Sequence, residues 1–175
     1  MSNFEVQFQD FGTFDTSAFL CIPAALHFRR VVCGGEHCVM AYCHDLVERG
    51  AHRMLEILGV GTAIMENAEG TLSKDIPMVN VRLPMHPIAD PTERLVMLTW
   101  LWHYFVAKQR TRINVYFYDG AFWVRLSGQV YLELADFEWA AEVLKEVCHR
   151  VNAGEYKNLP ERLRSDINKI KIEDE

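Results

Sequence analysis

Between INVYFY and AFWVRLSGQVY stands Asp119-Gly120, a pair whose residues accept the positive φ angles of a two-residue hairpin turn. That dipeptide commits the chain to an antiparallel pair, Ile113–Tyr118 against Ala121–Tyr131. Alternation along the second arm sends Phe122, Val124, Leu126, Gly128 and Val130 to one side. Trp123, Arg125, Ser127, Gln129 and Tyr131 go to the other. One face is apolar. The other is aromatic and polar with a guanidinium near its middle, which is either solvated surface or the wall of an anion site.

Helical periodicity supplies the rest of the frame. Pro23 opens a helix through Val31 that Gly34-Gly35 stops, and a longer one runs from Glu36 to about Leu58, with Gly50 inside it and Gly59 and Gly61 after it. Short strands are predicted at Gly61–Met65 and Ile76–Leu83. Asp90-Pro91-Thr92-Glu93 reads as a capped helix start, with Glu93 reaching back as in a capping box, and that helix extends to about Arg110. Asp136 is expected to cap a last helix, Phe137 to about Val151, with Gly154 beyond its end. The order predicts an α+β fold: a small antiparallel-containing sheet with helices packed on one face. We expect one domain over residues 1–158 and a charged tail over 159–175.

A chain of 175 residues, half of them hydrophobic and 24% charged, is long enough for one real core. Its net charge of -6, with Lys and Arg scattered, argues against nucleic-acid binding. LVMLTWLWHYFVA is too short and too interrupted to span a bilayer, so a buried helix without a membrane role is expected. The N-terminus has no basic segment before an apolar run, unlike a signal peptide. Five cysteines, an odd number lying mostly among helix-like residues, suit a reducing cytoplasm better than a disulfide framework.

Few motifs carry chemistry. His37, Cys38, Cys43 and His44 are the residue types that hold zinc, but Cys38 and Cys43 are five apart on one helix and no second cluster completes a set, so no metal is expected. There is no phosphate-cradling glycine loop. Trp100, Trp102, Tyr104 and Phe105 keep the helical spacing of a core. Arg125 beside Trp123, Ser127, Gln129 and Tyr131 offers a planar fork with further donors, the chemistry that holds a carboxylate, and Arg82 sits similarly in IPMVNVRLP.

FGTFDTSAFLCIPAALHFRRVVCGG, YCHDL, VNVRLP and WVRLSGQVYLELADFEWAAEVL together resemble the C-terminal part of class V aminotransferase-like enzymes. These are fold-type I pyridoxal-phosphate proteins, and the likeness is greatest to isopenicillin N epimerase-like and hercynylcysteine sulfoxide lyase-like members. The resemblance implies that Thr13, after Gly12, is a vestigial contact to a cofactor phosphate of a neighbouring subunit, and that Arg125 binds a substrate α-carboxylate. It also implies a cofactor lysine upstream of Gly12-Thr13, in a large domain with no counterpart here. Leu132 stands where many relatives have Asn. The expectation is therefore a cofactor-free cyclase, isomerase or lyase acting on an acidic small molecule. Arg125, Trp123, Ser127, Gln129 and Arg82 would bind it, and Tyr131, His86 or Tyr118 would move the proton. The alternative is a non-catalytic subunit or regulator of a related enzyme. Either way, a homodimer or pairing with a related chain is expected.

Overall fold

The computed structural model describes residues 17–74 and 76–158. Backbone contacts divide the chain into two units, residues 1–41 and 42–175. In the first, α1 (Ser17–Leu20) and α2 (Ile22–Val31) bury none of their side chains. Proline in the first turn of α2 sits where its missing N–H costs nothing. Gly34 and Gly35 end the turn after it with φ of 79° and 97°, angles that suit glycine. Arg29 grips Glu36 through two hydrogen bonds, of 2.8 and 2.5 Å, at the start of α3 (Glu36–Leu58).

The second unit adds β1 (Met78–Arg82), α4 (Pro91–Gln109), β2 (Val115–Tyr118), β3 (Ala121–Ser127) and α5 (Leu134–Asn152), then a 3-10 turn, Glu155–Asn158. The sheet runs β1-β3-β2 and both pairings are antiparallel, as an α+β fold requires. Asp119 and Gly120 take φ of 47° and 70°, the mirror-image turn expected of this dipeptide. One face of the sheet, Val79, Val81, Phe122, Val124 and Leu126, is buried in a core shared with Val47, Ala51 and Met54 of α3, Met97, Leu101 and Phe105 of α4, and Ala141, Leu144 and Val147 of α5. The Trp-rich segment falls in α4. Tyr104 and Phe105 are core, whereas Trp102 is half exposed. No single helix among the described residues is long and apolar enough to cross a membrane.

Four local expectations need correction. Strand β3 stops at Ser127 rather than Tyr131. Gly128 packs so closely on α3 that a Cβ there would lie 2.1 Å from the Cys43 carbonyl oxygen, and a turn from the Leu132 N–H to the Gln129 carbonyl follows. Gln129 and Tyr131 therefore leave the strand face. Glu93 makes no capping box. Asp90 alone accepts the N–H groups of Thr92 and Glu93, at 3.3 and 2.9 Å, because the Glu93 carboxylate is engaged by the Tyr156 hydroxyl and Lys157. The last helix starts three residues early: Glu133 is its cap, and Asp136 accepts the Glu133 N–H at 2.8 Å from inside the first turn. Of Gly61–Met65, only an isolated bridge from Ile64 to Val81 forms.

Candidate functional site

The outer face of the sheet gathers the polar residues of the hairpin. Register sets Asn80 opposite Arg125, Arg82 opposite Trp123, and Met78 opposite Ser127, while Tyr116 flanks Trp123 from β2. Arg82 and Arg125 are thus diagonal neighbours, with Cα atoms roughly 7–8 Å apart by strand geometry. None of the strand residues on this face, Met78, Asn80, Arg82, Tyr116, Tyr118, Ala121, Trp123, Arg125 and Ser127, is acidic. Both guanidinium groups are exposed, and neither makes a hydrogen bond or ion pair among the described residues. Arg53 and Arg150 are instead each held by two glutamates. Two uncommitted cations this close repel one another, and an anion between them relieves the repulsion.

The surroundings are ordered for such a guest. Burial raises the Tyr116 hydroxyl above its ordinary pKa, and the Arg125 charge draws it partly back. The Trp123 indole N–H donates to the Tyr118 carbonyl at 2.9 Å, which fixes that ring as a wall. Around the β3 edge, residues 111–114, Arg125–Ser127 and the first turns of α5 enclose a cavity of about 400 Å³ whose lining includes the core residues Met54 and Leu144. A planar fork, aromatic walls and an apolar recess suit an acid with a small organic body.

The structure groups Arg82, Trp123, Arg125 and Ser127 on this face, with Tyr118 at the hairpin tip on the same side. Tyr131 and Gln129 are exposed in the turn that follows. His86 is elsewhere: it lines a cavity of about 300 Å³ with Glu93, Asn152 and Tyr156, and its backbone N–H donates to Asn152 Oδ1 at 2.8 Å. Thr13 lies outside the described residues. Among the described residues no group of His, Cys, Asp and Glu is placed to hold a metal, and all five cysteines are free. Sequence reasoning did not place Asn80 and Tyr116 at this site. Asn80 stood in the predicted alternation of VNVRL, but only the pairing register sets both residues beside Arg125 and Trp123.

No family model matches the chain. It is 35% identical over 170 residues to the L-cysteine desulfhydrase-like protein lolT2 of Epichloe uncinata, a match covering 86% of this chain and 36% of that relative. The corresponding figures for lolT1 of the same organism are 34% over 172 residues, 86% and 37%. The hercynylcysteine sulfoxide lyase of Schizosaccharomyces pombe is 31% identical over 134 residues, covering 77% of this chain and 30% of that protein. These relatives, at 31–35% identity, are class V aminotransferase-like proteins, and the chain matches part of each. It spans roughly a third of the length of the curated relatives it matches.

Members of this family use pyridoxal phosphate, which requires a lysine for its Schiff base. No lysine stands on the Arg125 face among the described residues. Lys74 lines a cavity against α3, Lys108 lies in the last turn of α4, Lys145 faces Glu142 and Glu146, and Lys157 pairs with Glu93. The described residues do not by themselves fit that cofactor.

Proposed function

We propose that this chain serves a lyase-type reaction by holding the carboxylate of an amino-acid-like substrate on the outer face of its sheet. Arg125 is the anchor and Arg82 the second cation. Trp123 and Ser127 flank the bound acid. The observation that carries this reading is the diagonal pair of uncommitted arginines on a face without an acidic strand residue. The relatives are named as desulfhydrase-like and sulfoxide lyase proteins, which supports an elimination and makes L-cysteine a reasonable probe.

Arg125 orients the acid, the apolar recess takes its body, and the field of two guanidinium groups stabilises negative charge as it develops. No lysine stands on that face among the described residues, which supports a substrate held there without a covalently attached cofactor. Tyr118 is the proposed proton carrier that shares this face, at the hairpin tip opposite Ala121, and Tyr131 lies in the turn after β3.

Calorimetric titration with L-cysteine under reducing conditions tests the anchor. Arg125→Ala should weaken binding about 10- to 100-fold, the loss expected for one charge-assisted contact. Arg125→Lys should recover part of it, because the charge remains and the fork does not. Equal affinity in wild type and Arg125→Ala removes the reading. Adding pyridoxal phosphate should produce no borohydride-trappable absorbance. Its appearance would overturn the cofactor-free half of the proposal.

A second reading, a subunit that works against another chain, is favoured by one observation. Phe19, Leu20, Ile22, Leu26, Phe28 and Val31 are all at least 49% exposed on α1 and α2.

A further inference from the structure

A third cavity, of about 440 Å³, lies against α3 and is distinct from the arginine face. His44, Glu48 and His52 line it from the helix, four residues apart and so on one stripe. Its apolar lining comes from Val47, Ala51, Ile64 and Val79. The remaining wall is the loop bearing Glu66, Gly70, Ser73 and Lys74.

That wall is preorganised. The Glu66 carboxylate accepts the Asn67 N–H at 3.1 Å, the Leu72 N–H at 2.5 Å and the Ser73 hydroxyl at 2.7 Å. Asn67 meets Thr71 twice, at 2.8 and 2.9 Å. Glu66 is therefore occupied in shaping the loop.

His44, Glu48, His52 and Lys74 are not so occupied among the described residues. His44 Nε2 is the only buried side-chain nitrogen or oxygen among the described residues without a hydrogen-bond partner. Such an atom calls for an explanation, because buried polar groups are almost always satisfied. Lys74, Glu48 and His52 make no side-chain hydrogen bond or ion pair among the described residues. The cavity thus offers one uncommitted cation, one uncommitted carboxylate and two imidazoles above an apolar surface.

The charge balance selects among ligands. A simple anion would face Glu48 and Glu66 as well as Lys74, so a phosphate or dicarboxylate meets as much repulsion as attraction. A metal ion is not favoured, since no metal-holding group forms here among the described residues. A molecule carrying both signs meets a partner for each. We infer that this cavity binds a small zwitterionic α-amino acid with a short apolar side chain. Its carboxylate lies toward Lys74, its ammonium toward Glu48, and His44 Nε2 gains a hydrogen bond.

This site is independent of the arginine face, and the experiment separates them. L-Leucine is titrated into the full chain while the His44 ring resonances are followed by NMR. The titration is repeated with 4-methylpentanoate, which lacks the ammonium, and 3-methylbutylamine, which lacks the carboxylate. We expect L-leucine to shift the His44 signals saturably, and both monopolar analogues to bind at least tenfold more weakly. Glu48→Gln and Lys74→Met, both at exposed positions, should each weaken L-leucine binding tenfold or more. Arg125→Ala should leave it unchanged. No saturable shift, equal binding of either analogue, or equal loss in Arg125→Ala would overturn the assignment.

Discussion

At the scale of single residues, Tyr156 and Glu93 form a contact whose pH dependence has two limbs. The Tyr156 hydroxyl, then Lys157, holds the Glu93 carboxyl below its usual range. Burial, then the bond to Glu93, pushes Tyr156 up to about 12. The carboxylate contribution is present above an ordinary glutamate pKa of about 4.3 and is lost as pH falls through the lowered value. The tyrosine contribution is present below about pH 10 and is lost as pH rises through the raised value. Tyr156→Phe should flatten both limbs of unfolding midpoint against pH and lower the midpoint most in the neutral region, where both contributions are present. An unaltered profile would show that the contact does not govern either limb. Gly128 acts differently, through the atom it lacks. Gly128→Ala forces a methyl into the Cys43 carbonyl, where neither backbone can yield, so urea unfolding should show a loss of at least about 1–3 kcal/mol.

At the scale of elements, Asp90→Ala should lower stability by about 1 kcal/mol, because two N–H groups of α4 lose their acceptor and Glu93, engaged by Tyr156, does not replace it. Thermal unfolding of the variant measures this. The same helix shows what a sequence makes legible. Asp90, Pro91 and the left-handed Arg110 that follows α4 act through local chemistry, and the predicted span of α4 agrees with the observed one to within a residue. The long α3 and the Asp119-Gly120 turn were readable for the same reason. The end of β3 was not, because Gly128 stops it through a contact with Cys43, far away in sequence. Gly50, inside α3, sits under the Phe137 ring, where a Cβ would come within 2.7 Å. At the candidate site, the alternation of the hairpin marked Arg125 and Trp123, and only pairing register joined Arg82, Asn80 and Tyr116 to them. The α3 cavity left no trace in the sequence pattern, since its wall is an irregular loop built by Glu66 and Asn67.

At the scale of the whole molecule, the exposed apolar residues of α1 and α2 should drive association. Sedimentation of the full chain is expected to show a dimer or a complex with a related protein. Leu26→Glu combined with Phe28→Glu should shift the mass to that of one chain without changing the circular dichroism of the second unit's helices. A wild-type mass of one chain, with no partner bound, would count against the pairing.

The close approach of Gly128 to α3 also limits how this strand can be reused. The segment carrying Arg125 is keyed to the helix behind it through a contact that leaves no room for a side chain. A designer who transplants the arginine strand into another scaffold must therefore carry α3 with it. The smallest unit that carries the proposed Arg82–Arg125 pair is β1 with the hairpin and α3, and the strands by themselves would arrive without the backing that sets the end of β3.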